Sequence, residues 1–498
     1  PDLIGQFGVG FYSVFMVADS VEVHTHDWRK DGQSLVWKRS GAGPYEIETV
    51  SGERRGTKIV AHLKDDAKEF ANAERVRDVL PHYSSFVQFP ITLNGEQVNT
   101  VQPIWTRNKS EITDEEYNEF YKFQANAFDD PLYRLHFSSD APLEISALVF
   151  VPGENPERWG FGKVDPGVSL YSRRILIDPK PDGLLPDWLR FLKGVVDSSD
   201  IPLNISRESM QDSALTKKIG QVIAGRFIKF LEDEAKKDPS KFEEFYKKFS
   251  IYVKEGIAAD IRNRDQLAKL LRYESSATEK DKLTTLEEYV SRMKDGRKEI
   301  YYLYAPRRDI LEAGPHIEAF RARGLEVLYL FEPVDEFVMT SLGKYGDKEL
   351  VSADNASIDF GDDEAAPESK VSEEDAKALT EWFKEVLGER VNEIVMSKRL
   401  VDSPTDALNA EKIMTPSKRR MMKALQREGS VENSVNLELN PAHKLIEGLS
   451  ALKDKDPETA KLVAEQIFDN ALVAAGFMED AREMVGRVYS ILERVTEK

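Results

Sequence analysis

Glu299-Ile300-Tyr301-Tyr302-Leu303-Tyr304, a helical stretch from about Arg308 to Arg323, and Leu325-Glu326-Val327-Leu328-Tyr329-Leu330-Phe331 together decide the fold. The first run is short, aromatic and aliphatic, and reads as a buried strand. The middle stretch stops at Gly324, the residue type that most readily ends a helix in a left-handed turn. The last run is a second buried strand. A strand, a helix and a strand in that order form a βαβ unit, which predicts parallel strands and a right-handed crossover.

Upstream of this unit, Gln211 to Ala235 reads as a long helix, with further helices to about Met293. Leu143 to Pro152 and Leu170 to Ile177 are strand-like runs, and Thr113-Asp114-Glu115-Glu116 is a capping box that starts a helix. Before a connector near Asn99 to Pro103, the chain reads as a helix start followed by a β-meander. There Val21 and Val23 alternate with Glu22 and His24, followed by Leu35 and Trp37, Ile47 and Thr49, and Ile59, Ala61 and Leu63. Downstream, Ser357 to Asp375 shifts to Asp, Glu, Ala, Pro and Ser, the composition of a solvated linker. The rest reads as largely helical. Leu462, Ile467, Ala471, Ala474, Met484, Val488, Ile491 and Leu492 recur there at helical spacing, and faces that apolar call for a partner surface.

Composition bounds the rest. A chain of 498 residues predicts about three domains. Its 69 basic and 88 acidic residues give −19, which argues against a general nucleic-acid binder. No apolar run approaches the ~20 residues that cross a bilayer. The absence of cysteine excludes disulfides, thiolate nucleophiles and thiolate metal sites. The chain opens at Pro1-Asp2-Leu3, inside an ordered-looking motif, and is read as a fragment.

Three constellations carry possible chemistry. Gly5-Gln6-Phe7-Gly8-Val9-Gly10-Phe11-Tyr12 precedes a helix-like segment, so its amides suit either an anion or a structural turn. Gly56-Thr57 reads as a turn into a strand. Within Leu203-Asn204-Ile205-Ser206-Arg207-Glu208-Ser209-Met210-Gln211, Arg207 and Gln211 stand four apart, on one side of a helix start. A guanidinium there suits a phosphate whose charge must be stabilised, or an ordinary surface ion pair. His24 and His26 share a strand face but lack further ligands, so they read as plain strand histidines. There is no nucleophile elbow and no Walker A motif.

These motifs, in order, resemble the heat-shock protein 90 chaperone family. Gly5 to Ser13 is similar to its ATP lid. Gly56-Thr57-Lys58-Ile59, Ile104-Trp105-Thr106-Arg107-Asn108, Leu170-Tyr171-Ser172-Arg173-Arg174, Val195 to Gln211, Leu267 to Ala277 and Leu437-Glu438-Leu439-Asn440-Pro441 follow. With no charged insert near residue 100 and no acidic tail, the chain looks most like the bacterial and mitochondrial branch.

The resemblance implies a multidomain α+β and α/β chain. Residues 1–100 would be the C-terminal part of a Bergerat-type (GHKL) ATPase domain. A large middle subdomain (101–250), a small α/β subdomain (251–356), an acidic linker (357–375) and a mainly helical dimerisation domain (376–498) would follow. Gly5, Gln6, Phe7, Gly8, Val9, Gly10 and Phe11 would bind ATP, the backbone amides of Gly8, Val9, Gly10 and Phe11 holding its phosphates, and Thr57 would lie at its adenine end. Arg207 and Gln211 would be catalytic, and Trp105 would meet client. The Mg²⁺ ligand and the catalytic glutamate would lie upstream of Pro1, which implies no ATP turnover by this chain alone. Partly folded clients and a second copy would be its partners, with no nucleic acid and no membrane, in bacterial cytoplasm or alternatively a mitochondrion. Two other readings are a nucleotide-independent holdase and a DNA-processing ATPase with a similar lid. The second of these would want a sensing lysine and a basic surface.

Overall fold

A computed structural model describes residues 10–29, 32–87, 89–99, 103–158, 160, 162–201, 213–355, 357–358, 360, 368–410, 435–478 and 480–496. They form two compact units, Pro1–Phe230 and Leu231–Lys498.

The first unit begins with four antiparallel strands, β1 (Ala18–His26), β2 (Ser34–Ser40), β3 (Tyr45–Val50) and β4 (Gly56–Leu63), in the order β3-β2-β1-β4. This corrects the meander: β4 returns to pair with β1 instead of extending past β3. The register gives the reason. Ile59 pairs with Val23, Val23 with Trp37, and Trp37 with Ile47, so one apolar row crosses all four strands on one face. A 3-10 turn, Gly10–Met16, covers the middle of that row by laying Phe11 edge-on against Trp37 at 5.7 Å. Ile47 and Ile59 at its ends are 57% and 51% exposed.

Helices α1 (Ala73–Ser84) and α2 (Asp114–Ala125) lead to a second sheet. The predicted capping box opens α2: Thr113 accepts from the Glu116 amide while Glu116 accepts from the Thr113 amide. The sheet contains β5 (Tyr133–Ser139), β6 (Ile145–Val151), β7 (Gly167–Ser172), β8 (Ile175–Asp178) and β9 (Lys193–Ser198), in the order β8-β7-β9-β6-β5. Leu170 to Ile177, read from sequence as one strand, is a hairpin whose turn residues Arg173 and Arg174 both take positive φ, 51° and 67°. Such a turn suits the twist of paired strands but strains any residue with a Cβ.

Trp105, Tyr117, Tyr121, Leu148, Phe150, Tyr171 and Val195 form a core between α2 and this sheet. Helix α3 (Ser213–Lys237) crosses the division between the units. Near its start Gly220 lies so close to Leu184 that an added Cβ would fall 1.8 Å from the Leu184 carbonyl oxygen.

The second unit opens with α4 (Pro239–Ala259), whose Phe242, Phe245, Phe249 and Tyr252 recur on one buried face. The parallel pairing predicted for the βαβ unit is present, with two short helices in place of one helical stretch. β10 (Glu299–Tyr304) runs parallel to β11 (Val327–Leu330) and is joined to it through α5 (Arg308–Ala313) and α6 (Pro315–Ala322). After α7 (Pro333–Leu342), β12 (Lys348–Ser352) adds in parallel on the other side of β10. Two-residue strands at Glu274–Ser275 and Lys344–Tyr345 complete the sheet. Tyr301, Phe320, Val327 and Tyr329 lie in its core.

The acidic stretch is not wholly linker. Phe360 packs edge-on against Phe320 at 5.1 Å. Glu373, Glu374 and Asp375 form the first turn of α8 (Glu373–Leu387), capped by Ser372. Carboxylates are favoured there because they face the positive end of the helix dipole. The C-terminal part is likewise not simply helical. β13 (Ile394–Met396), β14 (Thr405–Asn409) and β15 (Val435–Leu439) form a sheet ordered β13-β15-β14. Alternation in Val-Asn-Leu-Glu-Leu buries Val435, Leu437 and Leu439. α9 (Lys444–Lys455), α10 (Pro457–Ala474) and α11 (Arg482–Thr496) follow, and α8, α9 and α10 share a core with the sheet.

Candidate functional site

The site residues read from sequence divide between described and undescribed positions. Gly5, Gln6, Phe7, Gly8 and Val9 lie outside the described residues, as do Arg207 and Gln211. Gly10 is exposed with nothing within 4 Å of an added Cβ, so its backbone is open to close approach. Thr57 is also exposed, and its hydroxyl shares a 3.2 Å hydrogen bond with that of Thr25. Thr57 precedes Ile59 by two residues on β4, so it faces the same side of the sheet as the Val23 and Trp37 row that Phe11 covers. The structure thus brings Phe11 and Thr57 to one half-covered sheet face.

His24 and His26 behave as ordinary strand residues. His24 sits between Glu53 at 3.0 Å and Glu22 at 3.2 Å, and His26 bonds Ser34 at 2.9 Å. Among the described residues no three His, Asp or Glu side chains are placed to hold a metal ion.

A second constellation lies just before the Arg207 segment. Strand β9 is buried along most of its length and carries Asp197, which is 7% exposed. Asp197 Oδ2 accepts from Trp105 Nε1 at 3.1 Å and from the Arg174 amide at 3.0 Å. Burial pushes its carboxyl above the ordinary range, while those two donors and the Arg173 amide pull it back. Beyond β9, Ser172 donates to the Ile201 carbonyl at 2.9 Å, and Asp200 accepts from the Glu144 amide at 2.8 Å. The chain therefore reaches Ile201 fixed on several sides. Beside it a polar cleft of about 390 Å³ is lined by Thr106, Glu144, Ser146, Arg173, Arg174, Asp197 and Ser199.

Trp105 departs from expectation. Its ring is 1% exposed, walled by Phe86 at 4.6 Å, Tyr171 at 4.9 Å and Phe120 at 5.9 Å. The indole packs the core and donates its N–H to Asp197. The exposed aromatics of this region are Phe123, 62% exposed, and Phe128, 97% exposed. Phe123 lines a cleft of about 750 Å³ together with Phe86, Tyr171, Leu176, Lys180 and Lys193.

Sequence reasoning missed a buried charge cluster in the second unit. His316 on α6 places Nδ1 2.9 Å from Asp406 Oδ2 on β14. Arg399 approaches Asp406 and Glu438, each at 3.6 Å. Asp354 is bonded by Ser352 at 2.5 Å and by Asn409 at 2.7 Å. Burial alone would hold His316 below its ordinary value, but the carboxylates of Asp406 and Asp354 outweigh it and raise it. These residues come from four unremarkable stretches that lie tens of positions apart, so no local pattern marked them.

The whole chain has recognisable relatives. The sequence pattern of the family described as "Hsp90 protein" matches residues 94–497. The chain belongs to the Hsp90 family. It is 47% identical over 495 residues to the "Chaperone protein HtpG" of Desulfitobacterium hafniense (strain Y51), covering 99% of this chain and 80% of that one. It is 41% identical over 508 residues to the "Heat shock protein 75 kDa, mitochondrial" of Rattus norvegicus, covering 100% and 72%. It is also 40% identical over 502 residues to a mitochondrial "TNF receptor-associated protein 1 homolog" of Dictyostelium discoideum, covering 100% and 70%. Hsp90-type chaperoning is the general class of its activity. No helix among the described residues is long and apolar enough to cross a membrane.

Proposed function

We propose that this Hsp90-family chain works as part of an ATP-driven clamp that binds and remodels partly folded proteins. In this reading Gly5 to Phe11 and Thr57 hold ATP, whose hydrolysis, assisted by Mg²⁺, supplies the free energy of the cycle. Arg207 stabilises charge on the terminal phosphate and Gln211 stands beside it. Two copies join through the C-terminal helices.

The observation that carries the reading is the anchoring of β9 and Ile201. Asp197 locks the strand to Trp105 and to the Arg173-Arg174 hairpin, while Ser172 and Glu144 hold the residues that follow. A cation that acts on a phosphate needs its backbone fixed, since stabilisation by preorganised charge falls away when the charge must first be positioned. The half-covered face bearing Phe11 and Thr57 adds support, because it leaves backbone at Gly10 open to a ligand.

The test is steady-state ATP turnover and ATP affinity of the full-length gene product, with Arg207 intact and with Arg207→Ala. A loss of tenfold or more, about 1.4 kcal/mol, with affinity kept, supports the clamp. Unchanged turnover would remove Arg207 from the mechanism.

A nucleotide-independent holdase is the second reading, and the exposed Phe123 and Phe128 favour it. Suppression of client aggregation without nucleotide, lost in Phe123→Ser/Phe128→Ser, would bring it forward.

A further inference from the structure

Helix α11 is attached to its own chain in an unusual way. Its fifteen residues span roughly 22 Å, short enough to be marginal as an isolated helix. None of its side chains is fully buried. What fixes it to α10 is charge. Arg487 places Nε 3.0 Å from Glu465 Oε2, and its other arm pairs with Asp469. Asp469 is 3% exposed and is also gripped by Arg390, whose guanidinium lies 4.9 Å above the Phe468 ring. Two turns on, Arg494 Nη1 donates to Thr459 Oγ1 at 2.7 Å. The acceptors descend α10 as the arginines ascend α11, so the helices form an antiparallel hairpin.

Four apolar residues of α11 are exposed. Val485, Tyr489, Leu492 and Val495 are 45%, 63%, 52% and 66% exposed. At 100° per residue the first three lie roughly 140–200° around the helix from Arg487. Met484, Val488 and Ile491 are half-buried and lie within about 100° of Arg487 around the helix, but apolar contact does not fix rotation closely. A two-carboxylate clasp on a planar guanidinium does, because its hydrogen bonds are directional.

We propose that Arg487 is a positioning residue for self-association: its clasp on Glu465 and Asp469 sets the rotation of α11, so that the Val485, Tyr489 and Leu492 stripe faces a second copy of this chain. The inference rests on the dimer reading above. The stripe is self-complementary as a two-fold axis requires. Arg482, whose guanidinium already pairs with Asp480, and Glu493 lie on the same side at opposite ends of α11, so antiparallel pairing would bring each near the other. Gly486, with nothing within 4 Å of an added Cβ, leaves room beside the partner's tyrosine ring.

The experiment is sedimentation equilibrium of the full chain. Arg487→Ala should weaken self-association at least tenfold with helix content by circular dichroism unchanged. Arg487→Lys, which still reaches one carboxylate, should fall between it and the wild type. Leu492→Asp tests the underlying reading and should give a monomer. If Leu492→Asp associates like the wild type, the dimer reading fails and the inference with it. If Leu492→Asp is monomeric but Arg487→Ala associates within twofold of the wild type, the positioning role is overturned and the dimer reading stands. Should Arg487→Ala lose helix, Arg487→Lys carries the test, and wild-type affinity in that variant overturns the role.

Discussion

Replacing Asp406 by asparagine should open the contact between α6 and the C-terminal sheet of the second unit. Asp406 is wholly buried and faces His316 at 2.9 Å and Arg399 at 3.6 Å. Removing its charge leaves Arg399, itself 4% exposed, beside Glu438 as its remaining carboxylate. Breaking a buried ion pair from one side costs about 3–5 kcal/mol. Such a loss, felt locally, corresponds to an increase of at least about two orders of magnitude in amide exchange. Hydrogen exchange read by mass spectrometry on peptides covering 394–409 would show it. The effect should also depend on pH. His316 has a raised value in the folded chain, so its contribution is complete below the unfolded value of about 6.5 and fades as pH rises through the folded one. Wild-type protection of this strand should therefore fall on alkalinisation above pH 6.5, and Asp406→Asn should lose that slope. Exchange in Asp406→Asn within threefold of the wild type at pH 6 and pH 8 would refute the reasoning.

Further outcomes follow from the first unit. Gly220→Ala puts a methyl 1.8 Å from the Leu184 carbonyl oxygen, so α3 must move; a loss of about 2 kcal/mol or more is expected by denaturant unfolding. Trp105→Phe keeps most of the ring but leaves Asp197 with one donor fewer, and should cost about 1–3 kcal/mol by the same measurement. Thr113→Ala removes the capping box of α2 for about 1 kcal/mol, seen as a small fall in melting temperature. Burial lowers the value of His136, so its contribution is present above about pH 6.5 and lost as pH falls through the folded value, opposite in sign to His316. Exchange in β5 should therefore quicken on acidification, and His136→Gln should flatten that trend.

Much of the fold was legible where one local pattern sufficed. The βαβ unit, the Thr113 capping box and the helix from near Gln211 all rest on contiguous residues whose spacing states their geometry. The errors arose where pairing between distant strands decided the outcome. Nothing local distinguishes β4 pairing with β1 from β4 pairing with β3; the four-strand apolar row does. Leu170 to Ile177 looked continuous because Arg173 and Arg174 lack the glycine or asparagine that usually marks a tight turn. The acidic composition of 357–375 hid a helix start, since acidic residues suit a solvated chain and a first helical turn alike. For the site, Phe11 and Thr57 could be named from the resemblance, but their shared sheet face required the register. Trp105 shows the converse: the motif was found, and only its packing shows the ring closed off. The His316 cluster joins four separate segments and leaves no mark on any of them.

That cluster lies between two apolar cores of the second unit, one around Phe320 and Tyr329 and one around Phe383 and Leu437. Unfolding either core exposes hydrocarbon and so carries a positive heat-capacity change, which makes its stability curve in temperature. Opening a joint made chiefly of His316, Asp406, Arg399, Glu438 and Asp354 exposes mainly polar surface, whose heat-capacity term is small and of the opposite sign. The ease of flexing at this joint should therefore change little with temperature while the cores on either side soften on heating.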